Sequence, residues 1–168
     1  TSKFFLVFGD SIGEGALASD GAHRWTTLFS NAVGATEANG SVSGRVLQAG
    51  TVCGRNVFDK TLIDTYTSSY GALFLALGVN DIGVNNGTMT PSGFRAKLLE
   101  TIDYANNTKG WAYSKIMIVA PYYIKQQGYD DYLGTCSVTV AADAFRHQAY
   151  VASAMSVANQ RLTMFEDI

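Results

Sequence analysis

The sequence predicts an α/β domain built on a parallel sheet of five strands. Three observations predict it. Short apolar runs recur along the chain and alternate with segments of helical period. The runs are continuous rather than alternating, as expected of strands buried on both faces. And 47% of the 168 residues are hydrophobic, enough to build one core without disulfide staples.

The elements follow in order. Phe4 to Phe8 is an apolar run closed by Gly9-Asp10, and reads as strand one. Trp25, Leu28, Phe29, Ala32 and Val33 share a helical face, with Gly34 as the stop. Val46-Leu47 with Ala49 reads as strand two. Asn56 is placed to cap a helix carrying Val57, Leu62, Ile63 and Tyr66. Ala72 to Leu77, between Gly71 and Gly78, reads as strand three. Thr90-Pro91 is a helix start with a capping hydroxyl and proline at the first position. Phe94, Leu98, Ile102 and Ala105 then fall on one face. Lys115 to Ala120, stopped by Pro121, reads as strand four. An Ala-rich helix is expected from about Val140 to Leu162, and strand five from Leu162 to Phe165. One domain over residues 1–168 is the expectation, and a chain beginning at Thr1 reads as a processed product or an excised domain.

Composition excludes several functions. No apolar run approaches the roughly 18–20 residues of a membrane span. Twelve Lys+Arg against fourteen Asp+Glu leave no strong basic field for nucleic acid. Core formers are too abundant for disorder. Charged residues make up 15% of the chain, well below the ~25% of ordinary soluble domains. The resulting polar, uncharged surface favours a secreted or extracellular location. Cys53 and Cys136 allow at most one disulfide and equally suit two buried thiols. No Cys/His cluster suggests a metal.

In a parallel sheet, ligands collect beyond the carboxyl ends of the strands. That rule selects Gly9-Asp10-Ser11, Gly50 to Gly54, Gly78 to Asp81 and Pro121-Tyr122-Tyr123. Ser11 offers a hydroxyl at the rim. Gly54 lets a backbone N–H approach a ligand closely. Asn80 offers an amide with two donors. A hydroxyl that attacks an ester carbonyl generates an oxyanion, and each preorganised donor is worth several kcal/mol, on the order of 3. The Ser11 N–H, the Gly54 N–H and the Asn80 amide are the expected set. Asp81 is expected to bond locally, and Tyr122 and Tyr123 to pack the rim. Tyr129, Asp130, Asp131 and Tyr132 form a polar, aromatic loop suited to sugar hydroxyls or to a solvated turn.

These segments resemble the GDSL, or SGNH, serine hydrolases. Gly9-Asp10-Ser11, with Gly13 and Gly15 behind it, is similar to the first block of that family. Ala49-Gly50-Thr51-Val52-Cys53-Gly54 resembles the second, and Gly78-Val79-Asn80-Asp81 the third, Gly-x-Asn-Asp. The resemblance spans about Phe4 to Pro121 by motif and reaches Phe165 by order of elements. It implies a three-layer, flavodoxin-like α/β/α fold. It also implies Ser11 as nucleophile, Gly54 and Asn80 as the oxyanion hole, and ester hydrolysis without metal or organic cofactor. The family's fifth block, Asp-x-x-His, supplies base and acid after the fifth strand, and the domain is expected to end before it, at Asp167-Ile168. Another segment or chain carrying that block is therefore an expected partner. His147 lies inside the last helix with Asp143 on the same face, which reads as a solvated pair. Nothing in the sequence singles out His23. No base is assigned.

The polar loops favour a small acyl group, such as acetyl, on a carbohydrate. A catalytically inactive carbohydrate-binding domain on the same sheet is the alternative. A third reading comes from Gly13-Glu14-Gly15-Ala16-Leu17-Ala18, which matches the dinucleotide fingerprint. It begins beyond the turn that leaves the strand, and strand two ends in Gln48-Ala49-Gly50 without the acid that would bind ribose. A nucleotide or flavin is therefore the weakest of the three.

Overall fold

The computed structural model describes residues 3–16, 18–48, 56–66, 71–83, 90–123 and 144–167. Five strands form one sheet: β1 (Lys3–Gly9), β2 (Ala35–Asn39), β3 (Ala72–Ala76), β4 (Ile116–Val119) and β5 (Met164–Glu166). Their order is β2-β1-β3-β4-β5, and every neighbouring pair is parallel. The winding direction reverses between β1 and β3. That switch point opens a crevice beyond their carboxyl ends.

Helices cover the two faces of the sheet. On one face, α4 (Pro91–Asn107) and α5 (Ala144–Arg161) pack over Leu6, Leu73, Leu75, Ile116 and Ile118. Phe94, Leu98, Ile102 and Ala105 of α4 are all buried there, as their spacing predicts. Burying each large apolar side chain contributes roughly 1.5–3 kcal/mol. On the other face, α2 (Trp25–Val33) lies over Phe5 and Phe74, with the Phe29 ring edge-on to Phe5 at 5.3 Å and to Phe74 at 5.4 Å. The Thr90-Pro91 start and the Gly34 stop are those the sequence predicts. Thr90 Oγ1 accepts from the Gly93 N–H at 3.0 Å, with Pro91 in the first turn. Gly34 ends α2 in the left-handed region.

Two elements differ from expectation. Strand two is Ala35–Asn39, not Val46 to Ala49; Val46 makes only an isolated bridge to Val57. The sequence ATEAN conceals a strand because its polar side chains are bonded to helices. Glu37 pairs with Arg24 and accepts from Thr27 Oγ1. Asn39 Nδ2 donates to Gly13 O at 2.8 Å and to Thr26 Oγ1 at 3.1 Å. Residues 56–66 hold no α-helix capped by Asn56; a 3-10 helix, Lys60–Thr65, is capped instead by the Asp59 carboxylate. Among the described residues, no helix is long and apolar enough to cross a membrane.

Candidate active site

Ser11 opens a short helix, α1 (Ser11–Glu14), directly beyond β1. Asp10 caps that helix, its Oδ1 accepting from the Ile12 N–H at 3.0 Å. The cap is therefore the aspartate and not the serine. The Ser11 side chain is half-buried at the rim, and its hydroxyl has no hydrogen-bond partner among the described residues. Gly13 packs α1 against the segment beyond β2, because a Cβ there would lie 2.6 Å from Ser41 Oγ. This close approach gives one glycine of the fingerprint-like run a packing role.

Asn80 and Asp81 lie beyond β3. The expected loop is a short helix, α3 (Val79–Gly83). Gly78 enters it at φ +126°, where a Cβ would strike Pro121 and Phe94, so only glycine serves. β1 and β3 are hydrogen-bonded neighbours, with Gly9 in register with Ala76. Ser11 and Asn80 thus stand beyond the ends of adjacent strands, at the switch point. The Asn80 amide is buried, and its Nδ2 donates to the Arg45 carbonyl at 3.0 Å. One of its two N–H groups is spent on that bond. The second has no partner among the described residues.

Asp81 does not bond locally, contrary to expectation. Its carboxylate reaches back to the segment before the second motif. Oδ2 accepts from Leu47 N at 2.9 Å, and Oδ1 from Gln48 N at 2.9 Å. The Val46-Leu47 run looked like a strand because it is buried, and it is buried because Asn80 and Asp81 hold it against the sheet end. Burial drives the Asp81 carboxyl up to about 6, against the pull of the Leu47 and Gln48 amides. Burial likewise drives Asp10 up to about 7, and the nearby charge of Asp81 adds to the rise. The Tyr122 hydroxyl, buried beyond β4, is pushed to about 12 by desolvation and by Asp10. Two carboxyls and a neutral phenol therefore lie close together at the ends of β1, β3 and β4.

The remaining expected residues divide. Gly54, Cys53, Cys136 and the loop of Tyr129, Asp130, Asp131 and Tyr132 lie outside the described residues, as does Asp143. His147 is not on a solvated face: its Nε2 lies 2.7 Å from Pro121 O, and its ring meets Tyr123 edge-on. Tyr122 is half-buried and Tyr123 exposed, consistent with rim packing. His23 has a partner that sequence reading missed. Asp20-x-x-His23 is an Asp-x-x-His spacing, and on its 3-10 turn Asp20 Oδ1 sits 2.8 Å from His23 Nδ1. Both side chains are more than half exposed, and neither histidine ring is bonded to Ser11.

Several solved structures share this arrangement of elements. An esterase from Pseudoalteromonas sp. superposes with a TM-score of 0.65 at 13% identity, over 99% of this chain and 78% of that one. A lipase/acylhydrolase from Enterococcus faecalis gives 0.67 at 18%, over 97% and 74%. A carbohydrate acetylesterase family member from Sinorhizobium meliloti gives 0.69 at 16%, over 98% and 82%.

The chain has the GDSL/SGNH hydrolase fold.

No protein-family model matches the chain, and no curated protein matches it in sequence. At these identities the likeness is one of fold. In this fold, the Gly-Asp-Ser and Gly-x-Asn-Asp segments of the chain fall beyond the carboxyl ends of β1 and β3, at the switch point of the sheet.

Proposed function

We propose that the protein is a serine ester hydrolase. The observation that carries the reading is the position of Ser11 and Asn80 beyond adjacent strands at the switch point, with Ser11 half-buried and one Asn80 amide N–H uncommitted among the described residues. On this reading Ser11 attacks an acyl carbonyl. The carbonyl oxygen takes the electron pair and is held by the Asn80 amide, with the Gly54 and Ser11 N–H groups as the other donors. The alcohol leaves, and water releases the acyl group from Ser11. A serine hydroxyl needs a base to take its proton. On this reading an Asp-x-x-His block on another segment or chain supplies it.

The substrate we propose is a small acyl ester, such as an acetyl group on a carbohydrate. The polar, Tyr- and Asn-rich sequence around the strand ends supports it, and one structural neighbour is described as a carbohydrate acetylesterase family member. The second reading is a carbohydrate-binding domain without turnover. It is favoured by the Ser11 hydroxyl, which has no basic partner among the described residues. Hydrolysis of an aryl acetate by the protein and by Ser11→Ala separates the two. The esterase reading expects turnover that the substitution abolishes. Equal background rates favour the binding domain.

A further inference from the structure

Behind Asn80 lies a closed ring of buried hydrogen bonds. The Gln48 N–H donates to Asp81 Oδ1 at 2.9 Å. The Gln48 side-chain Nε2 donates to Tyr150 Oη at 3.4 Å, and Tyr150 Oη donates to the Asp81 carbonyl at 3.2 Å. Gln48 Oε1 closes the outer side by accepting from Thr90 N at 3.1 Å. Gln48 is 6% exposed, and Asp81 and Tyr150 are 0% exposed. The ring therefore joins α3, the segment beyond β2, the start of α4 and the middle of α5.

Its geometry has a specific consequence. A short helix such as α3 has little rigidity of its own. Asp81 is gripped on both its carboxylate and its carbonyl, so the residue that follows Asn80 is held from two sides. Asn80 itself is tied through Nδ2 to the Arg45 carbonyl, three residues before Gln48. Rotation of α3 would break its bonds to Arg45, Leu47, Gln48 and Tyr150 together. We infer that Tyr150 and Gln48 are positioning residues: through Asp81 they fix the direction of the Asn80 amide, and so the strength with which it stabilises the oxyanion. Neither touches the reacting atoms. The inference rests on the reading of Asn80 as an oxyanion donor. Catalytic donors lose much of their value when misplaced by about 1 Å, so a remote hydroxyl in this ring acts on rate.

Tyr150→Phe is the test, because it removes the hydroxyl and keeps the ring that packs on Phe94 at 5.2 Å. With aryl acetate, kcat is expected to fall roughly tenfold with KM unchanged, as for an interaction made only in the transition state. In an Asn80→Ala background the same substitution is expected to cost less than about twofold, because its route to the oxyanion is gone. Gln48→Leu is expected to behave alike. A full tenfold loss on top of Asn80→Ala, or an unchanged kcat in the parent, overturns the inference. A second measurement is independent of turnover. The side-chain amide NMR signals of Asn80 should shift or broaden in Tyr150→Phe; unchanged signals overturn the positioning role. If hydrolysis does not depend on Ser11, the nucleophile reading fails, and the Asn80 signals alone decide the positioning role.

Discussion

The Asp81 carboxylate closes on the backbone N–H of Leu47, 34 residues earlier in the chain, at 2.9 Å. This contact, with the bond from Asn80 to Arg45, makes the third motif the structural support of the segment that leads into the second. The two motifs are distant in sequence and joined by buried polar bonds. Such bonds are expensive to leave unmade in a dry interior.

Asp81→Asn should therefore destabilise the fold. An asparagine retains one oxygen, and its NH2 group faces an amide donor where the carboxylate offered an acceptor. A buried donor left without a partner costs about 1–3 kcal/mol. Thermal unfolding of the variant should report a loss in that range. An unchanged midpoint would contradict the role assigned to the contact.

How much of this was legible beforehand depends on the kind of residue. Phe4 to Phe8, Ala72 to Leu77 and the Thr90-Pro91 start were readable because apolar runs, buried from Phe5 to Phe8 and from Leu73 to Leu77, and helix capping leave local signals. β2 was not readable. Its Glu37 and Asn39 owe their place to Arg24, Thr26 and Gly13, partners that only the folded chain supplies. Val46-Leu47 misled for the converse reason, since apolar residues are buried there by a clamp rather than a ladder. The positions of Ser11 and Asn80 beyond β1 and β3 were legible because their motifs follow apolar runs directly. The Gln48–Asp81–Tyr150 ring was invisible, because no spacing rule links residues so far apart. Asp20-x-x-His23 was legible as a spacing and was missed.

Asn80→Ala removes the side-chain donor, together with its bond to the Arg45 carbonyl. If the amide holds the oxyanion, kcat for an aryl acetate should fall about 10²–10³-fold with little change in KM. Steady-state kinetics reads both. A rise in KM with kcat intact would mean that Asn80 binds the ester in its ground state only.

Stability should depend on pH through Asp10 and Asp81. Both carboxyls have folded-state values raised by burial, to about 7 and about 6, above their ordinary 3.8. The folded state therefore holds protons that the unfolded chain releases. The stabilisation is fully present below about pH 4 and is lost as pH rises towards 7. Glu100 acts in the opposite sense but in a separate window, since Lys60 and Lys97 hold its carboxyl down to about 2. Unfolding midpoints measured from pH 4 to 8 should fall with rising pH, and Asp10→Asn should flatten the slope. A variant as steep as the parent would reassign the titration to other groups.

The central claim is that Ser11 is a nucleophile, and covalent labelling tests it most directly. The protein is incubated with a fluorophosphonate, digested, and the adduct mapped by mass spectrometry. The account predicts one phosphonylated residue, Ser11, and no adduct in Ser11→Ala. An adduct on another residue, or equal labelling of the alanine variant, would contradict it.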